Sequence, residues 1–153
     1  MKKILTIFMA AVLWQVGSAA ADVRPGTIGL GIIFGEPTGV SFKSWTGRTT
    51  AFDAAVAWSF DGSGSLVLHG DYLFHDFDLL RARKGSLAVY YGIGGRVDLE
   101  DKTRAGVRIP VGLSYIFDRA PFEIFVELGP VFDVVPRTEV TLAAFLGVRY
   151  LFR

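Results

Sequence analysis

The sequence predicts an all-β fold, an eight-stranded antiparallel up-and-down transmembrane β-barrel that follows a cleaved signal peptide. Three observations lead there. Period-two alternation recurs from Thr27 to Phe152, with no helical 3.6-residue period of useful length between. In each pattern one face is oily and the other is mostly small, polar or charged. The chain is 51 % hydrophobic, yet past its start it holds no run near the roughly 20 apolar residues of a spanning helix.

The elements follow in order. Lys2 and Lys3, the apolar stretch Ile4 to Val16 and the small residues Ala19, Ala20 and Ala21 read as a secretory leader. The expected division is therefore residues 1–21 as signal peptide and 22–153 as one barrel domain. The first strand is expected from Thr27 to Gly35, and Gly35, Glu36 and Pro37 turn the chain into a second from Thr38 to Thr46. The third, Thr50 to Phe60, sets Phe52, Ala54, Val56 and Trp58 against Asp53, Ala55 and Ala57, and the glycine-rich turn Asp61 to Gly64 closes it. A fourth strand carries Leu66, Leu68, Tyr72 and Phe74 opposite Val67, His69, Asp71 and Leu73. The longest connection, His75 to Gly85, holds Arg81, Arg83 and Lys84.

Ser86 to Phe117 then forms the central hairpin. Leu87, Val89, Tyr91, Ile93, Val97 and Leu99 share one face of its first limb, and Val107, Ile109, Val111, Leu113 and Tyr115 share one face of its second. Each limb exceeds the about 9–11 tilted residues that cross a hydrocarbon layer. Phe122 to Asp133 and Thr138 to Phe152 complete the count. Pro110 and Pro130 fall inside strand patterns at nearly the same height, where each removes a ladder donor, so a bulge or kink is expected there.

Alternation alone does not say which face points inward. A soluble barrel would cover its outside with Lys and Glu, whereas the polar face here is dominated by Gly, Ala and Ser, the filling suited to a narrow lumen. Aromatic residues also gather near strand ends, as Phe34, Phe60, Phe74, Tyr115, Phe117, Phe132, Tyr150 and Phe152, where interfacial girdles belong. The oily face is therefore expected to meet lipid. That puts Lys43, Asp53, His69, Asp71, Arg96, Asp98, Arg108, Glu123, Glu127 and Arg149 inside, as a structural ion network in a plugged polar lumen. Strand pairing around the last turns is expected to bring Glu123 beside Arg149 and Glu127 diagonal to Arg108.

Composition excludes several function classes. A net charge of +1 gives no clustered positive excess for phosphates, so no nucleic-acid partner is expected. Zero cysteines exclude disulfides, thiolate metal sites and a lipid-modified N-terminal cysteine. His69, Asp71 and His75 share a face but stand too far apart along one strand for a single ion. Ser44, Ser59 and Ser63 lie in no nucleophile motif. The pairs Gly29, Gly31 and Gly92, Gly94 imitate a dinucleotide fingerprint without the helix it requires. No catalytic, cofactor-binding or metal-binding residue is assigned, and no cofactor is expected.

The strand phrases GEPTGVSFK, YYGIGGRV and GVRIPVGLSYIF resemble those of a family of small bacterial outer-membrane β-barrel proteins, and the architecture looks like the OmpA/OmpX type. The resemblance implies location in the cell outer membrane, with outer-membrane lipid and the outer-membrane assembly machinery as partners. Such barrels usually end on an aromatic residue. Here Tyr150 and Phe152 keep the outward aromatic spacing and Arg153 follows. Counting from a periplasmic N-terminus puts the turns near residues 36, 62, 101 and 136 outside, all four short and without the protruding loops of typical adhesins, so an extracellular protein ligand is left unidentified. The expected role is non-enzymatic, structural or surface-binding. Two alternatives stand beside it, a lipid-modifying barrel enzyme and a soluble periplasmic lipocalin-like binder of an apolar ligand.

Overall fold

The computed structural model describes residues 23–59, 64–80, 82–99 and 102–152. The expected leader, Asp22, Phe60, the turn residues 61–63, Arg81, Glu100, Asp101 and Arg153 lie outside the described residues. The strands are β1 Ile28–Glu36, β2 Thr38–Trp45, β3 Thr50–Ser59, β4 Ser65–Asp76, β5 Ser86–Leu99, β6 Arg104–Arg108, β7 Val111–Ile116, β8 Phe122–Val135 and β9 Glu139–Phe152. Every pairing is antiparallel.

The strands close into a ring. The order runs β4, β3, β2, β1, β9, β8, then β6 and β7, then β5, which pairs back onto β4. Because β6 and β7 both lie between β5 and β8, they are two halves of one stave, and the barrel has eight staves. Closure leaves no open sheet edge along the wall. We call the end with the 46–49, 77–85 and 117–121 connections the base, and the opposite end the top.

Of the bulge or kink expected at the prolines, the register shows no bulge: the sixth stave is interrupted between β6 and β7 without a shift. Arg108 pairs with Val131 and Val111 with Leu128, so the same alignment holds on both sides of the break. Ile109 N–H still reaches the Pro130 carbonyl at 3.1 Å, and Gly92 N–H reaches the Pro110 carbonyl at 3.0 Å. Only the donor that proline lacks is missing. The register shift lies higher, between Ala105 and Gly106, where β8 carries the extra residue. The larger boundary differences from expectation are two: β4 runs on through His75 to Asp76, and β8 runs through Val134 to Val135, while the other shifts are single residues.

The faces separate cleanly. Val40, Phe52, Val56, Trp58, Leu68, Tyr72, Ile93, Val111, Leu113, Val126, Leu128, Leu146 and Phe152 all stand outward and exposed. At the base the outward aromatics contact one another: Tyr72 with Phe74, Phe74 with Tyr91, Phe122 with Tyr150, and Tyr150 with Phe152, at ring-centroid distances of 4.8–5.7 Å. Phe117 departs from the expected girdle, for it is buried and meets Tyr115 edge-on at 4.8 Å.

The bore is less polar than the alternation suggests. Ile33, Ala55, Ala57, Leu73, Tyr90, Phe125, Ala143 and Phe145 form an apolar cluster inside it. A second cluster of Val23, Trp45, Ala51, Ile116 and Leu151, with Phe77 against it, sits at the base. Inward glycines allow the tight curvature that eight staves demand. A Cβ at Gly31 would collide with the β9 backbone at Val148 and Arg149, and one at Gly94 would collide with Asp71 and the Gly70 carbonyl.

Candidate functional site: a buried charge network in the bore

The inward parity of each strand delivers the charged side chains. In β2, Ser41, Lys43 and Trp45 share the inward face; in β4, His69, Asp71, Leu73 and His75 do; in β8, Glu123, Phe125 and Glu127 do. Of the ten expected interior residues, Lys43, Asp53, Asp71, Asp98, Arg108, Glu123, Glu127 and Arg149 are buried, and His69 and Arg96 are half-buried. They fall into three groups stacked along the axis.

Nearest the base, Glu123 is the hub. It accepts from Lys43 Nζ at 2.7 Å, from Ser114 Oγ at 2.6 Å and from Arg149 Nη1 at 3.4 Å. Arg149, its direct cross-strand partner, also donates to Ser41 Oγ at 2.9 Å and Asp53 Oδ2 at 3.3 Å. Its guanidinium lies 3.8 Å from the Phe125 ring centroid, and Lys43 Nζ lies 4.3 Å from that of Trp45. Cation–π contact therefore supplements the ion pairs where the base cluster begins.

In the middle, Arg108 gathers Asp71, Glu127 and His69. Its Nε is 3.0 Å from Asp71 Oδ1, and its terminal nitrogens contact Glu127 and His69 Nδ1. Tyr90 donates its hydroxyl to Glu127 at 2.8 Å. Asp53 and Asp71 are direct partners across β3 and β4, so the two lower groups adjoin at these residues. Nearer the top, Asp98 accepts from Arg104 at 2.9 Å and from Arg96 at 3.3 Å.

The two histidines serve different cations. Lys43 has only protons to give, so His75 Nε2 accepts from it at 2.8 Å, and His75 Nδ1 is left to donate to the Thr49 carbonyl at 3.1 Å. His69 Nδ1 accepts from Arg108 by the same logic. Among the described residues no group of three or more His, Asp or Glu side chains is placed to hold a metal ion. Ser44 shares the outward face with Val40 and Phe42, apart from both imidazoles; Ser63 lies outside the described residues. The glycine pairs that imitate a dinucleotide fingerprint lie within β1 and β5.

Several members of the network were not singled out from sequence. Ser41, Trp45, Tyr90 and Ser114 are buried in the bore, and Arg104 joins Asp98; His75, expected on one face with His69 and Asp71, meets Lys43. Parity was the available signal, since each shares the inward face with a residue already placed there. At the top, Lys102, Arg104, Pro136, Arg137 and Glu139 line an open cleft of about 190 Å³.

The fold has a solved counterpart. The structure is similar to the crystal structure of the N-terminal β-barrel domain of Pseudomonas aeruginosa OprF, with a TM-score of 0.64 and 15% sequence identity over 85% of this chain and 100% of that one. At that identity the likeness is one of fold. No protein-family model matches the chain, and no curated protein matches it.

Proposed function

We propose that this protein is an integral outer-membrane β-barrel, non-enzymatic, with a bore closed by its own side chains and a structural or surface-binding role. The observation that carries the reading is the apolar outer face on a closed barrel that turns Lys43, Asp53, Asp71, Arg108, Glu123, Glu127 and Arg149 inward. A soluble monomer rarely exposes contiguous apolar patches beyond a few hundred Å². Here apolar side chains on every stave stand outward, from Ile28 on β1 to Phe152 on β9. A closed barrel is also the one β architecture that satisfies every backbone group in lipid.

The same inversion weighs against a soluble carrier of an apolar ligand, which needs the oily face inside. The bore supports closure rather than catalysis. Lys43, Arg108 and Glu123 are fully buried and held by partners, and Trp45, Ile116 and Leu151 cover the base. An eight-stave lumen is just wide enough for its side chains. The base faces the periplasm, Tyr150 and Phe152 present the outward aromatic signal to the assembly machinery, and the top cleft faces outward, where surface contacts form.

Membrane fractionation, followed by electrophoresis of the detergent-folded protein with and without boiling, tests this. An outer-membrane band whose mobility changes on heating is the expected result. A monodisperse protein that needs no detergent would overturn it.

A further inference from the structure

The long connection at the base, residues 77–85, uses its apolar residues in two opposite ways. Phe77 turns into the bore, its ring centroid 6.4 Å from that of Trp45 and 6.2 Å from that of His75. Leu79 and Leu80 stand outside, 66% and 42% exposed. That exposure is built into the connection. Asp76 Oδ1 accepts from the backbone N–H of Asp78 at 2.8 Å and of Leu79 at 3.1 Å, which fixes the turn that presents the leucines. The far end is tied where Tyr115 donates its hydroxyl to the Lys84 carbonyl at 2.8 Å.

Positive charge surrounds this apolar tip. Arg83 and Lys84 follow it and are exposed. Arg24, Arg48 and Arg119 add exposed positive charge from the other base segments, against the acidic Asp76, Asp78 and Asp118. Immediately above the connection lie the outward aromatics Phe74 and Tyr91 of the two strands it joins. Paired leucines fixed toward solvent, basic side chains beside them and an aromatic belt above are the parts of a membrane-interface contact.

We infer that the 77–85 connection anchors the barrel to anionic phospholipid at the base, with Leu79 and Leu80 entering the headgroup layer and Arg83 and Lys84 binding its phosphates. The inference rests on the proposed membrane-spanning reading and names the lipid class for one end of it. Charge complementarity selects the occupant: a zwitterionic layer would accept the leucines but offer the cations no net attraction.

The chain has no cysteine, so Asp78→Cys provides a single labelling site beside the leucines without replacing them or the cations. The labelled protein, carrying a polarity-sensitive fluorophore, is refolded into vesicles of phosphatidylcholine alone or mixed with phosphatidylglycerol. Blue-shifted emission is expected with phosphatidylglycerol and is expected to fade near 1 M salt, where the screening length falls to about 3 Å. Adding Arg83→Gln and Lys84→Gln should make the emission blind to lipid charge, and adding Leu79→Ser and Leu80→Ser should return it to the value in water. A heat-modifiable, inserted barrel with the same emission in both lipids would overturn the inference alone. Failure to insert at all would overturn the membrane reading and the inference with it.

Discussion

Replacing Glu123 by alanine removes the hub of the basal charge group. Glu123 is fully buried and accepts three hydrogen bonds, from Lys43 at 2.7 Å, Ser114 at 2.6 Å and Arg149 at 3.4 Å. Without it, Lys43 and Arg149 remain buried with Asp53 as the nearest shared carboxylate, since Asp53 pairs across the strands with Lys43 and sits 3.3 Å from Arg149. Breaking a buried pair by deleting one partner costs about 3–5 kcal/mol, because the surviving charge stays desolvated. With a urea slope of about 2 kcal/mol/M, a loss of about 4 kcal/mol lowers the unfolding midpoint by about 2 M. The assay is urea unfolding in phospholipid vesicles, followed by tryptophan fluorescence and by the folded band on unboiled gels. The double variant Lys43→Met, Glu123→Leu removes both charges and should lose less than half as much. A single variant within about 1 kcal/mol of the parent, or a double variant as damaged as the single, would refute the view that the network is held by charge compensation.

Other consequences are equally direct. Gly31→Ala drives a Cβ into the β9 backbone and should cost about 1–3 kcal/mol or prevent folding, whereas Gly95→Ala, whose nearest neighbour would be the Gly106 carbonyl at 3.8 Å, should be tolerated; the fraction of heat-modifiable protein after refolding separates them. Trp45→Ala empties the centre of the base cluster, where Trp45 is 1% exposed, and should cost about 3–5 kcal/mol by the same unfolding assay. Tyr90→Phe leaves Glu127 without the hydroxyl it accepts from at 2.8 Å and should cost about 1–3 kcal/mol, visible as a lower unfolding midpoint with unchanged secondary structure by circular dichroism.

Most of the wall was legible in the sequence because a strand's period is local. The limbs Ser86 to Glu100 and Arg104 to Phe117 announce themselves through alternation, and the described strands β5, β6 and β7 fall within them. The same parity marks Glu123 and Arg149 as neighbours, because the last turn fixes their register. What parity does not carry is contact across the bore. Lys43 and Glu123 are 80 residues apart, and Arg149 and Asp53 are 96 apart, so their meeting depends on closure and on strand tilt rather than on any local pattern. Curvature of three consecutive strands likewise brings His69 of β4 to Arg108 of β6, two staves away through β5.

The apolar part of the bore was hidden for a different reason. An eye set for oily and polar faces places Leu73, Phe125 and Phe145 on the inward face without asking what they do there. In the structure they fill space between the charged groups: Phe125 carries the Arg149 guanidinium, and Phe145 lies 5.6 Å from that of Arg108. The prolines show the limit from the other side. A missing donor was legible, but whether register would shift depended on the neighbouring carbonyls of Pro110 and Pro130, which keep their bonds.

The central claim is that the oily face meets lipid, and a scan of single cysteines along β9 tests it most directly in a chain that has none of its own. Spin labels at Leu142 through Tyr150, in protein refolded into bilayers, report access to oxygen dissolved in lipid and to a water-soluble nickel complex. The structure predicts period-two alternation, with lipid contact at Leu142, Ala144, Leu146, Val148 and Tyr150 and protection from both probes at Ala143, Phe145 and Arg149. Lipid contact at the second set, or water contact at the first, would contradict the assignment of faces on which the whole account stands.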